Sequence, residues 1–510
     1  MNDSHVIPEK TPPRLSSLLW ALGLVLLVSA AAINTQSFWI DECGVAYKAA
    51  MPHLSEFWHK ISTEGSADLQ QPFHHFFAWG WEKLVGINEV AFRSGNIPFL
   101  LLGIGSLACA FARVQSVLRG IMVVLLTSPF VWYYLNEARP YSVQIGASLM
   151  VFSSIYRLSL NSDQSSERKW VLWLCFGMVL LATSGMLAML WLGAYLMSIL
   201  LSTPVQRLRE LLKMYAVACG ITTLLLLAMG LFYLWTLGIG ARATSVGGTD
   251  LRNLAFIPYE LLGFSGLGPG RLSIRNEGLS AFRPYLPGLV VFGLFAGGVF
   301  ARGCACLARR LAVRTLWAWP LSFLLVGGFI MGVGVAVHFR VLGRHCTPVL
   351  PLIGFILGSG LVSLWNSPRV ALKAVAVLFT AVSLTSCLGV RFGSQHAKDD
   401  YRAAARYAQT TAEQGKRVWW NADREGAAIY GLATVTNAEP GVLWVANPAP
   451  GFDTGLPRPD VVITSKPDIY DGFGALSEFL KREAYIRGPS FVAFMVWERP
   501  KESLQPGRVE

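Results

Sequence analysis

The sequence predicts a polytopic α-helical membrane protein, with about eleven transmembrane helices and a small C-terminal α/β domain. Three observations lead there. Of 510 residues, 53% are hydrophobic and only 15% charged, where a soluble globular chain carries about 25% charged residues. Apolar runs long enough to cross a bilayer recur from residue 15 to residue 390 and then stop. The net charge of +12 is also unevenly placed: from Arg391 onward 15 basic and 15 acidic residues cancel, so the excess lies wholly between the apolar runs. Charge placed there is a topology signal rather than a nucleic-acid surface. The same composition excludes a soluble enzyme, a disordered chain, a coiled coil and a collagen.

The first run, Leu15 to Ile33, follows Lys10 and Arg14. It reads as a retained helix rather than a signal peptide, because Ala30-Ala31-Ala32 is a weak cleavage signal and functional-looking acids follow at once. Further runs cover roughly 90–112, 120–135, 140–157, 170–184, 186–203, 212–238, 285–301, 315–337, 344–364 and 370–390. Thr183-Ser184 and Gly185 mark a turn between two short ones. With a cytoplasmic N-terminus, alternation leaves 16 basic and 5 acidic residues on the cytoplasmic side of the first 390 residues. The opposite side carries 12 basic and 11 acidic residues, as the positive-inside rule requires.

Three longer stretches then face away from the cytoplasm. Residues 36–89 are rich in Trp, Phe and His and include an amphipathic piece, Gln71–Val85, suited to the membrane interface. Residues 239–284 form the second stretch, in which Gly266-Leu267-Gly268-Pro269-Gly270 reads as a flexible loop; it lacks the strand and the Gly-Lys-Ser/Thr of a phosphate loop. The third is the tail. Its pattern predicts helices at Asp399–Gln414 and Gly472–Tyr485, and strands at Arg417–Asn421, Val442–Val445, Asp460–Thr464 and Ser490–Trp497. The domains are accordingly drawn as 1–390 and 391–510. Of eight cysteines, Cys109, Cys175, Cys219 and Cys387 sit in apolar runs as small core residues. Cys304 and Cys306 have no second pair to complete a metal site. The last 120 residues hold none.

Chemistry-bearing residues gather on the non-cytoplasmic side. Asp41 and Glu42, after Ser37-Phe38-Trp39-Ile40, are the first acids beyond the first helix. A carboxylate at the membrane surface is partly desolvated, which suits a general base; a helix-end acid is the alternative. Glu137 and Arg139, in Asn136-Glu137-Ala138-Arg139-Pro140-Tyr141, occupy a short connection at the mouth of the bundle. They either pair with each other or contribute an acid to a shared cleft. His338, Arg340, Arg344 and His345 cluster near one later connection, where a guanidinium fork suits a phosphate; snorkelling to headgroups is the alternative. His74 and His75 are adjacent and lack metal-ligand spacing. Ionisable residues are otherwise sparse within the runs, which fits an enzyme at one membrane surface better than a transport pathway.

These motifs resemble those of the GT-C membrane glycosyltransferases, in particular the dolichyl-phosphate-mannose protein mannosyltransferase superfamily and its bacterial aminoarabinose transferase-like relatives. Trp39-Ile40-Asp41-Glu42 is similar to the family's first-loop acidic motif. Gln71-Pro72-Phe73-His74-His75-Phe76-Phe77, followed by Glu89-Val90-Ala91-Phe92-Arg93-Ser94, resembles its Pro-Pro-Leu-Tyr-Tyr helix with the acid and Ala-x-Arg beyond. Asn136 to Tyr141 is similar to Gln-Glu-Ala-Arg-x-Tyr. Arg344-His345-Cys346-Thr347-Pro348 is similar to Arg-Tyr-x-x-Pro, and Asp400-Tyr401-Arg402-Ala403-Ala404 resembles the opening of the tail domain.

The resemblance implies transfer of a sugar from a polyprenyl-phosphate-linked donor to a hydroxyl of a glycolipid, glycan or protein. The site of transfer would be the periplasmic face of a bacterial inner membrane, with the tail periplasmic, lipids as surroundings and no nucleic-acid partner. It makes Asp41 the candidate base, with Glu42 and Glu137 as further catalytic acids. Arg344 would hold the donor phosphate with Arg340, His345 and Arg139, and Trp39, Gln71, His74, His75 and Tyr141 would line the substrate cavity. No cofactor is implied; a divalent metal is compatible with such chemistry, though nothing indicates one. This chain departs from the family at Gln71, His74-His75 and His345, which stand for a Pro, two Tyr and a Tyr, so the phosphate contacts and the sugar stay open. The competing class is another polytopic envelope-glycan protein: an O-antigen ligase or polymerase, a lipid-linked sugar flippase or a transporter. Asp41-Glu42 directly after the first helix discriminates, since only the transferase needs them.

Overall fold

The computed structural model describes residues 15–64, 68–160, 164–239, 248–436, 441–453 and 456–500. It divides into two compact units: Met1–Asn34 with Pro52–His396, and Thr35–Met51 with Ala397–Glu510. The short segment after the first apolar helix, which hydropathy groups with the membrane part, therefore counts with the tail.

In the first unit every apolar run is helical. Among the described residues seven helices are long and apolar enough to cross a membrane: Leu15–Ala32, Glu89–Ala110, Ala216–Thr236, Arg271–Arg310, Val313–Ala336, Gly343–Trp365 and Val370–Phe392. Two bent pairs raise the number to nine: Gln115–Leu126 with Pro129–Leu135, bent by 60°, and Met186–Ser202 with Val205–Met214, bent by 118°. The expected eleven includes two further runs, which form the helices Tyr141–Ser159 and Gln164–Ser184 but are less apolar. The physical reason is position. Tyr141–Ser159 is buried along nearly its whole length, so neighbouring helices rather than lipid surround it. Its serines are satisfied within the helix, Ser148 donating to the Gln144 carbonyl at 2.6 Å and Ser154 to the Met150 carbonyl at 2.8 Å. Gln164–Ser184 opens on Glu167, Arg168 and Lys169.

Small residues bring helix backbones into contact, the packing that lipid-embedded helices use in place of a hydrophobic driving force. A Cβ on Gly103 would stand 2.8 Å from the Gly146 Cα, and one on Gly358 would stand 2.6 Å from the Ile121 nitrogen. The same principle corrects the reading of residues 266–270 as a flexible loop. Gly266 is buried in a 3-10 turn and donates its N–H to the Ser386 hydroxyl at 3.1 Å. These glycines serve close packing. Residues 54–85 give two amphipathic helices, Leu54–Glu64 and Pro72–Val85, and the second stretch gives Leu251–Leu261 and Arg271–Glu277.

The second unit contains a six-stranded sheet: β1 (Val418–Asn421), β2 (Thr434–Val435), β3 (Val442–Trp444), β4 (Val461–Ser465), β5 (Ile486–Phe491) and β6 (Phe494–Glu498), in the order β2-β3-β1-β4-β6-β5. The first four strands run parallel, and β6 pairs antiparallel with both β4 and β5. The parallel strands are buried and bulky, as covered strands are. Helices Tyr401–Glu413 and Ala475–Arg482 present apolar faces to the interior, with Phe479 stacked on Trp419. The single strand expected at Ser490–Trp497 is instead the end of β5, a tight turn and β6. The turn places Ala493 at φ 67°, a conformation that hairpins usually assign to Gly or Asn, so no turn residue marks it in the sequence.

Candidate functional site

The predicted residues fall in both units, and each group is built by local forces. In the second unit, Trp39 caps the helix Ile40–Ala49 with extended backbone, which puts Asp41 and Glu42 in its first turn, where the helix dipole favours acids. The two carboxylates differ in setting. Glu42 is wholly buried and forms an ion pair with Lys398 at 2.8 Å. Its Oε2 also accepts the Trp39 N–H at 3.4 Å. Asp41 is only partly buried. The helix is tied to the tail elements of the same unit at several points. Lys48 pairs with Glu425 at 3.0 Å, Phe38 donates its N–H to the Tyr430 hydroxyl at 2.7 Å, and the Ser37 hydroxyl accepts the Arg402 N–H at 3.2 Å. Lys466 pairs with Asp399 and sits 5.8 Å above the Trp39 ring. Asp423 caps the helix Arg424–Ile429. Burial pushes its carboxyl above the usual range and Asp41 adds to this, against the Gly426 N–H, Lys48 and Lys466. The Cys43 thiol, next to Glu42, is raised further still by burial and by Asp423, which leaves it a poor nucleophile.

The first unit gathers the rest. The turn carrying Glu137 is held by amides. The Asn96 side chain donates to the carbonyls of Tyr134, Leu135 and Glu137 at 3.3, 3.1 and 2.8 Å, and the Asn136 side chain accepts the Asn34 N–H at 2.9 Å. Arg93 donates to the Asn34 carbonyl at 3.0 Å, so the end of the first helix, the Ala-x-Arg segment and the Glu137 turn are one bonded assembly. Glu137 is wholly buried and Arg139 nearly so. His74 approaches the Ala138 carbonyl at 3.3 Å, and His75 faces Asp68 at 3.2 Å. Burial first, then His75 and Arg139, hold the His74 imidazole well below its ordinary value, so it is neutral at pH 7. Gln71 caps the same helix, its Cγ within 3.9 Å of where a Gly185 Cβ would stand. Tyr141 packs against Tyr134 with the ring planes tilted and the centroids 4.5 Å apart.

Arg344 and His345 lie in the turn Gly343–Val349. The His345 Nδ1 accepts the Leu342 N–H at 3.0 Å, leaving Nε2 as the edge that can donate. Arg344 and Arg139 are both within electrostatic reach of that ring, so the structure joins the two arginines around His345. Arg340 and His338 do not share this setting; both are exposed. Among the described residues no three metal-ligating side chains are gathered.

One residue escaped the sequence reading. Arg271 donates to the Tyr133 and Tyr134 hydroxyls at 2.9 and 3.0 Å and to Glu260 at 3.0 Å, and stacks 4.1 Å from the Tyr133 ring. Glu137 is within its electrostatic reach. A planar cation fixed on three sides beside the Glu137 turn is preorganised for an anion. In sequence nothing separates Arg271 from Arg252, Arg275 or Arg283.

No family model matches the chain, and no curated protein does. Solved structures do. ArnT of Cupriavidus metallidurans in the apo state is 13% identical, with a TM-score of 0.55 over 95% of this chain and 98% of that one. The same protein bound to undecaprenyl phosphate gives 13% identity and a TM-score of 0.52 over 96% and 99%. The mycobacterial arabinofuranosyltransferase AftD gives 12% and 0.49 over 95% of this chain and 40% of that one. Identity this low speaks of architecture alone, and ArnT matches this chain nearly end to end: the chain is a multi-pass membrane protein with the fold of the GT-C membrane glycosyltransferases.

Proposed function

We propose that the chain transfers a sugar from a polyprenyl-phosphate-linked donor to an acceptor hydroxyl at the periplasmic face of a bacterial inner membrane. The observation that carries this reading is the unequal pair after the first helix: Glu42 is committed to Lys398, while its neighbour Asp41 stays partly exposed on the same turn. One acid is structural, and the other is accessible to a substrate.

The chemistry assigns each group a task. The acceptor oxygen attacks C1 of the sugar and its proton passes to Asp41. The bond from C1 to the phosphate oxygen breaks, and its electron pair leaves with the polyprenyl phosphate. Negative charge grows on that phosphate, so cations stabilise the transition state more than the ground state. Arg344, Arg139 and Arg271 are the candidates, with His345 Nε2 as a neutral donor. Glu137, buried among them, orients the cations. Trp39, Gln71, His74, His75 and Tyr141 belong to the walls of the sugar and acceptor sites. The reading takes the N-terminus as cytoplasmic and the tail as periplasmic, with a glycolipid, glycan or protein as acceptor. The fold shared with ArnT, a protein solved with undecaprenyl phosphate, supports the donor class.

The test compares glycolipids and glycoproteins by mass spectrometry in cells with the gene, without it, and with Asp41→Asn in its place. The wild-type gene should restore one sugar modification that Asp41→Asn does not. Full restoration by Asp41→Asn would sink the assignment. A reporter active only outside the cytoplasm, fused after Glu510, should be active.

A further inference from the structure

In open α/β sheets a ligand binds beyond the carboxyl ends of parallel strands, where the strand order reverses. In the tail sheet that place is the end of β1 and β4, since the chain runs outward from β1 to β2, returns through β3, and crosses to β4 on the other side. The groups found there or packed beside it are Asp423 and Glu425, which follow β1, Lys466, which follows β4, and Lys398, which precedes the helix Tyr401–Glu413. The chain itself supplies what they hold. Lys398 pairs with Glu42, Glu425 with Lys48, and Lys466 lies over Trp39. The segment Thr35–Met51 thus occupies the tail as a ligand would, through its first-turn acid, its cap residue and its last-turn lysine.

We propose that Lys398 is a positioning residue for sugar transfer: its ammonium, buried against Glu42, fixes the first turn of the helix Ile40–Ala49 and thereby sets where Asp41 stands. The proposal rests on the transferase reading. It gives the tail a defined part in the reaction, as the holder of the helix that bears the base. The side chains of this pair are 5% and 0% exposed, so solvent screens it little and neither partner can be lost without leaving a charge in the interior. Cys43, buried next to Glu42, reports whether the helix is seated.

The experiment uses the full-length chain in liposomes with Lys398→Met, Lys398→Arg and the double variant Glu42→Gln/Lys398→Met. Three quantities are read: kcat and KM with a polyprenyl-phosphate-linked sugar, binding of undecaprenyl phosphate, and modification of Cys43 by N-ethylmaleimide followed by mass spectrometry. Lys398→Met should lower kcat about a hundredfold, the scale of a small misplacement of a catalytic group. Undecaprenyl phosphate binding should stay within about twofold, and Cys43 should become reactive. Lys398→Arg should restore both kcat and Cys43 protection. A kcat for Lys398→Met near wild type, or a Cys43 as protected as before, overturns the proposal, as does a loss of undecaprenyl phosphate binding in step with kcat. If Lys398→Met does not fold, the other two variants decide: kcat and Cys43 protection must recover together, and recovery of one without the other overturns it. A wild-type chain that transfers no sugar would bring down the transferase reading as well; failure of the Lys398 variants with an active wild type leaves that reading intact.

Discussion

The ion pairs of the two units span different distances in sequence. In the second unit, ion pairs join residues far apart in sequence: the buried Glu42 with Lys398, and Lys48 with the half-buried Glu425. Each pair fastens the first-loop helix to the tail. In the first unit the ion pairs are more local, Arg271 with Glu260 and His75 with Asp68, and hydrogen bonds to main-chain carbonyls and phenols hold the Glu137 turn and the Arg271 guanidinium in place. A pair between distant segments fixes how those segments pack, whereas a local pair shapes only its own stretch of chain.

The comparison breaks most easily at the acids. Asp41→Asn is expected to cut transfer by about 10²- to 10⁴-fold, the usual worth of a general base, while the protein stays folded and inserted. Glu42→Gln, which removes the anion paired with Lys398, should lower stability and cost less activity than Asp41→Asn, so a larger catalytic loss there than at Asp41 would exchange their roles. Next come the arginines of the first unit. Arg344→Ala should weaken donor use about 10- to 100-fold, the scale of one charged hydrogen-bond donor, with Arg344→Lys in between because charge survives but the fork does not. Unchanged donor affinity in both would mark Arg344 as a headgroup anchor.

Stability sharpens the contrast further. Lys48→Met, which removes the cation paired with the half-buried Glu425, should cost about 1–3 kcal/mol and should be felt by the tail unit. Gly103→Ala, which forces apart two touching helices, should cost about 1–3 kcal/mol in the bundle alone. Limited proteolysis of the tail and thermal melting in detergent separate the two, and a bundle variant that loosened the tail would break the division. The smallest effect is a pH slope. His74 is held neutral, with its value below that of the unfolded chain, so its contribution is complete above about pH 6.5 and is lost as pH falls from there towards the folded value. The slope is at most about 1.4 kcal/mol per pH unit. His74→Gln should flatten that part of the stability curve, and two parallel curves would show that His74 accepts a proton where it stands.

Much of the bundle was legible because lipid imposes a one-dimensional rule: a span must be apolar over a fixed length. Where the rule lapsed, at Tyr141–Ser159, protein had replaced lipid around the helix. The turn at Asn136–Tyr141 and the acids after the first helix stood out because polar residues at the edge of an apolar run need a reason. Arg271 did not stand out, since an arginine in a polar loop needs none. The strands of the tail could be read from bulky β-branched and aromatic runs, while the Ala493 turn could not.

The membrane class, the apolar runs that became helices, the α/β nature of the tail, and the short list of acids and cations were all legible in the chain, because hydropathy, charge balance and strand propensity are local quantities. Folding alone groups Thr35–Met51 with the tail, commits Glu42 to Lys398 while Asp41 remains partly exposed, and brings Arg271 within electrostatic reach of Glu137. Those outcomes depend on which distant side chains meet in the interior. An ion pair between residues 42 and 398 gains its strength from burial that neither segment possesses alone.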